Sequence, residues 1–187
     1  MTVISVDVSQ ASNSLRQAEV SLQKLPAKIP LATSRAINRA VQAGKTSAVR
    51  EVRSQYTIKA AAVRESMSIR LSKRDDLEGE IVSKGRPRSF TQYRLSPKRD
   101  TVGAKRKQPM VAVKKGGALK PLGHFIYKGK VFARLGAKRL PVEHKTGPAV
   151  PTLLKNENVA KTVQSTMETV FIKRLGHEVS RLLEEKK

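Results

Sequence analysis

The chain has 187 residues, with 38 Lys or Arg against 15 Asp or Glu and a formal net charge of +23. There is no Cys, which excludes disulfides and thiolate metal sites. No apolar run approaches the ~20 residues that span a bilayer, and the first residues lack the charged-then-apolar layout of a secretion signal. Hydrophobic residues make up 39% and aromatics 4%, with no Trp, so the core is expected to be aliphatic.

The charge is unevenly spread. Residues 1–83 hold 13 basic and 8 acidic side chains, residues 84–155 hold 19 and 2, and residues 156–187 hold 6 and 5. The middle of the chain therefore repels itself and calls for an anionic partner. Nucleic acid and an acidic protein surface both fit. An anionic membrane fits least, because the cations are not interleaved with an amphipathic helix.

Thr2 to Val8 alternates weakly, in the manner of a strand. Ser9 or Ser12 is placed to cap a helix bearing Leu15, Ala18, Val20, Leu22 and Leu25. Pro26 and Pro30 then bracket a short link into a long helix over Leu31–Tyr56, antiparallel to the first. At ~100° per residue, Ile37, Val41, Gly44, Ala48 and Val52 share one narrow stripe. Arg35, Arg39, Arg50 and Arg53 fall on the other side as a basic face, either simply solvated or turned to a partner.

Thr57 is a candidate cap for a short helix through Ile58, Ala61, Ala62 and Val63. The period then changes to two. Met67, Ile69 and Leu71, the polar turn Lys73–Asp76, and Leu77, Gly79 and Ile81 predict a β-hairpin lying on the helices. Residues 84–109 mix Gly and Pro with many cations and read as a basic, partly flexible arm. Phe90–Leu95 is a candidate short strand within it. Strands follow at Met110–Val113, His124–Tyr127 and Val131–Leu135, the last two joined by the tight turn Lys128-Gly129-Lys130, with one more over Leu140–His144. The final helix is predicted from Asn156 to Glu185. Val159, Val163, Met167, Val170 and Phe171 share one face. Ile172, Leu175, Val179 and Leu182 share another beyond Arg174, with Gly176 at the change. Either the helix bends there or the second face meets another subunit. The fold class is α+β: an antiparallel sheet packed against a long central helix and a long C-terminal helix, as one domain over 1–187.

No catalytic constellation is present, and neither a cofactor nor a metal is expected. His124, His144 and His177 have no ligand spacing. Lys115-Gly116-Gly117 lacks the spacing of a phosphate loop, and Gly44-Lys45-Thr46 falls inside a helix. Asp75, Asp76, Glu78 and Glu80 suit a hairpin turn better than a cation site. Arg86, Arg88, Arg94, Lys98, Arg99, Lys105, Arg106, Lys107, Lys114 and Lys115 are the candidates for contact with DNA or an acidic partner. Phe90, Tyr93, Phe125, Tyr127 and Phe132 either stack on bases or are buried. Sequence-independent phosphate contact is the most such residues allow.

The order of features resembles the minor tail protein Z family of long-tailed bacteriophages and prophages. It rests on A-I-N-R-A (Ala36–Ala40) in a Pro-led long helix, G-x-F-I (Gly123–Ile126) and G-K-V-F-A-R-L (Gly129–Leu135). L-P-V-E…G-P-A-V-P-T-L-L (Leu140–Leu154) then leads into the final helix. The resemblance implies a virion protein of the phage tail, assembled in the bacterial host cytoplasm. It implies tail completion at the head-proximal end, a ring of copies of itself, commonly a hexamer, and neighbours among tail-terminator, tail-tube and head-connector proteins. The end of the packaged double-stranded DNA is a further implied partner. It transfers no catalytic residue and implies no small-molecule substrate or membrane. The alternative is a free basic nucleic-acid-binding protein of ribosomal or chromatin type.

Overall fold

The computed structural model describes residues 1–5, 12–21, 28–98, 107–123 and 125–184. Ser9, Leu22, Leu25, Pro26 and His124 lie outside the described residues. In chain order the elements are β1 (Thr2–Ser5), α1 (Ser12–Ser21), α2 (Ile29–Gln55), α3 (Ala60–Glu65), β2 (Met67–Arg70), β3 (Glu80–Ser83), β4 (Arg88–Ser89), a 3-10 turn (Phe90–Gln92) and β5 (Arg94–Ser96). Then come β6 (Met110–Ala112), β7 (Lys120–Pro121), β8 (Phe125–Tyr127), β9 (Lys130–Arg134), β10 (Val142–Gly147), α4 (Val150–Leu154) and α5 (Glu157–Glu184). The class is α+β, with antiparallel sheets and long helices. The chain divides into two compact units: residues 1–51, 67–84 and 154–187 form the first, and residues 52–66 and 85–153 the second.

Along α2 the small-residue stripe lies inward. Ile37, Val41, Ala48 and Val52 are fully buried, as are Ala36 and Ala40, while Arg35, Arg39, Arg50 and Arg53 are exposed as their spacing predicts. Gly44 sits where the stripe meets its neighbours. A Cβ there would come within 2.5 Å of Met167 on α5 and 3.0 Å of Ile81 on β3, so only glycine allows that approach. The hairpin forms as predicted, with Met67 opposite Ser83 and Ile69 opposite Ile81. β1 adds to the far side of β3, giving the order β1-β3-β2.

Two backbone hydrogen bonds between Lys73 and Asp76 close the hairpin loop, and a residue the pattern did not single out anchors it. The Asn38 amide donates from Nδ2 to the Ser72 carbonyl at 3.0 Å and accepts at Oδ1 from the Ser72 N–H at 2.7 Å. The Ser34 hydroxyl donates to the same carbonyl at 3.0 Å. A side-chain amide that pairs with both groups of one residue replaces a strand neighbour, and leaves no buried backbone group unpaired there.

The two faces expected on α5 are one winding stripe. Val159, Val163, Met167, Phe171, Leu175, Val179 and Leu182 are all buried within the chain. Each four-residue step overshoots a full turn by ~40°, so a stripe built on such steps rotates around the helix without a break. α1 and β1 also pack on α5, and α1 finds its main packing there among the described residues. Leu175, Val179 and Leu182 are thus core residues and not a free subunit face. Of the four proposed contacts only Ile172 is exposed, at 43%.

The second unit holds two sheets, β4-β10-β9-β8 and β5-β6-β7, all antiparallel. The turn between β8 and β9 has two residues, Lys128 and Gly129, at φ 46° and 69°. Both lie in the left-handed region, which matches the twist of the strands it joins. Residues 84–98 carry more structure than their composition suggests: Phe90, Tyr93 and Leu95 are buried and pull the basic stretch onto the core. Thr57 does not cap α3, whose capping position is Lys59 with no side-chain bond. Its hydroxyl instead donates to the Ala112 carbonyl and accepts from the Arg94 N–H at 3.1 Å, tying together the ends of β5 and β6. The strand predicted at Leu140–His144 forms later, as Val142–Gly147.

Candidate functional site

Two cationic surfaces emerge, one in each unit. The second unit contains 20 Lys or Arg and 3 Asp or Glu, so its charge cannot be neutralised from within. Several of these cations stand on a fixed backbone. Arg94 is exposed on β5, where the strand register sets it beside Ala112. Lys114 and Lys115 are exposed, while their backbone is tied to the end of α2 by the Tyr56–Lys114 bridge and by the Lys115 N–H to the Gln55 carbonyl at 2.8 Å. Arg88 is half-buried on β4 opposite Gly147. Arg86, Lys98 and Lys107 are exposed. Arg99, Lys105 and Arg106 lie outside the described residues.

The aromatics interleaved with these cations serve the core more than a ligand. Phe90 and Tyr93 are 6% and 5% exposed and pack together with ring centroids 6.1 Å apart. The Tyr93 hydroxyl donates to the Pro148 carbonyl at 2.7 Å, and burial pushes its pKa up to about 12. Phe125 stacks on Phe132 at 5.6 Å, and His144 packs against Phe132. Base stacking of the single-strand kind is thereby closed to Phe90 and Tyr93.

In the first unit the acidic group of the hairpin loop surrounds Arg70. Its guanidinium lies 2.6 Å from Asp76, 3.7 Å from Glu78 and 3.8 Å from Glu80. The hydrogen bond and charge of Asp76 raise the Arg70 pKa above its ordinary value. These carboxylates are occupied by a cation of the chain itself. Among the described residues no cluster of three or more His, Cys, Asp or Glu is placed to hold a metal, and no helix is long and apolar enough to cross a membrane.

A groove runs between α2 and α5. Arg35 pairs with Glu178 at 3.4 Å, and the Ser47 and Thr166 hydroxyls meet at 3.2 Å. Twelve residues forward on α2 therefore match twelve residues back on α5, which makes the helices antiparallel. The same register sets Arg39 level with Arg174 and Ala43 level with Val170. All four line a groove of about 600 Å³ together with Arg50, Lys173 and His177. Glu178 is buried and already shared between Arg35 and Arg181. Among the described residues, none of Arg39, Arg50, Lys173 and Arg174 belongs to an ion pair. The basic face predicted on α2 thus divides: Arg35 is used within the fold, and Arg39 and Arg50 open onto the groove. The cations on α5 escaped the sequence pattern, because only the helix–helix register reveals that Arg174 faces Arg39.

Neither the search of curated proteins nor that of solved structures finds a match to the chain. The family model of prophage minor tail protein Z matches residues 13–186, nearly the whole chain. On that match the chain belongs to the prophage minor tail protein Z family.

Proposed function

We propose that this chain is a structural component of the head-proximal end of a phage tail, repeated as a ring around the DNA channel and required for head–tail joining. The observation that carries this reading is the surplus of the second unit, 20 cations against 3 carboxylates with several cations exposed on a braced backbone. Copies arranged in a ring concentrate that potential. Turned to the lumen, it holds the end of the DNA by phosphate contacts that read no sequence. Turned along the axis, it steers docking onto acidic neighbouring rings. The burial of Phe90 and Tyr93 favours charge over base stacking as the mode of contact. The role requires no catalysis, cofactor or small-molecule substrate.

Exchanging Lys105, Arg106 and Lys107 together for Glu tests this directly. The expected result is tails and heads that fail to join, or particles that lose their DNA; a normal infectious yield rejects the proposal. A free nucleic-acid-binding protein would instead bind duplex DNA tightly as a monomer, with strong salt dependence, and would be missing from purified particles.

A further inference from the structure

We infer that the groove between α2 and α5 docks an acidic, amphipathic helix contributed by a partner protein. The inference is independent of the basic surface in the second unit. Arg39 and Arg174 stand level with each other, and Arg50 and Lys173 line the same groove, none of them in an ion pair among the described residues. Cations on both helices thus line one groove with no carboxylate of the described residues paired to them, and an anion entering it meets positive charge from both sides.

The floor selects the kind of anion. Ala43 and Val170 lie level at its base and are only half-buried. A DNA duplex turns its charged phosphates outward and keeps its base faces stacked inside, so it offers little apolar surface to such a floor. A helix with small apolar residues on one face and carboxylates along both flanks covers the floor and meets both walls at once. The small Ala43 leaves room for a third helix at the usual 8–10 Å spacing between axes. From Arg39 to Arg50 the wall runs ~16 Å, about three turns of such a partner.

The test uses the full chain and fluorescence anisotropy. The probe is a labelled peptide of about 18 residues, ~27 Å as a helix, built from Leu, Ala and Glu with one apolar face. Controls are the same composition scrambled to abolish that face, and a duplex DNA of about 20 base pairs. The amphipathic peptide is expected to bind at least about fivefold tighter than the scrambled one. Exchange of Arg39→Glu with Lys173→Glu is expected to weaken it more than about tenfold, and exchange of the exposed hairpin-loop pair Lys73→Glu with Arg74→Glu less than about threefold. Protection of Lys173 from acetylation by the amphipathic peptide in the unmodified chain gives a readout that depends on no variant. Equal binding of the scrambled peptide, undiminished binding by the groove variant, an unprotected Lys173, or a groove variant that loses DNA and not peptide would each overturn the inference.

Discussion

Single residues carry more of this fold than their types advertise. Asn38 closes two hydrogen bonds on Ser72 and joins the hairpin loop to α2. Asn38→Ala strands the Ser72 N–H and leaves the Ser72 carbonyl to the Ser34 hydroxyl alone, and is expected to cost about 1–3 kcal/mol in denaturant unfolding. Gly44→Val forces side-chain atoms onto Met167 and Ile81 and should cost about 1–3 kcal/mol by overpacking, measured the same way. Tyr93 adds a pH dependence. Its folded pKa stands raised by burial from 10.0 to about 12. The folded state therefore holds this proton more tightly than the unfolded chain. The contribution is complete below pH 10 and disappears as pH rises through about 12. Tyr93→Phe should cost about 1 kcal/mol at neutral pH through its lost bond to Pro148, and should flatten the alkaline limb of the stability profile. None of the three roles was legible in the sequence. Asn38 and Tyr93 act on partners 34 and 55 residues away, and no local period records such pairings. Gly44 was legible as a small residue on the stripe, but not as the point where α5 and β3 converge.

At the scale of elements, α2 and α5 were legible almost to their ends, because long segments with sustained 3.6-residue spacing leave few alternatives. The same holds for the hairpins at Met67–Ser83 and Phe125–Arg134, where alternation and turn chemistry point the same way. What the second half of α5 packs against was not legible. Its winding stripe resembles two separate faces when short windows are compared, and only its neighbours reveal continuity. Leu175→Ala separates the two descriptions. As a core residue at 1% exposure, it should cost about 2–5 kcal/mol of stability, independent of protein concentration. A loss of self-association with unchanged stability would restore it to a subunit interface. The short strands β4 and β7 escaped notice because two residues carry no period. Thr57 looked like a cap because hydroxyl residues before helices commonly are, yet the loose ends of β5 and β6 compete for the same hydroxyl.

For the whole molecule the decisive quantity is charge. A chain at +23 with its surplus gathered in one unit resists close association with itself unless something anionic sits between the copies. The cationic candidates of the middle stretch were legible from composition alone. The groove cations were not, because Lys173 and Arg174 lie in a segment of nearly balanced charge and gain meaning only across from Arg39. The account holds that these cations are neutralised by other parts of a particle. An image of intact virions at side-chain resolution tests that most directly. It should place the chain in a ring at the head-proximal end of the tail, with phosphates or carboxylates of neighbouring components against Arg94, Lys114 and Lys115. Finding the chain missing from the particle, or those side chains surrounded by bulk water within it, would contradict the account.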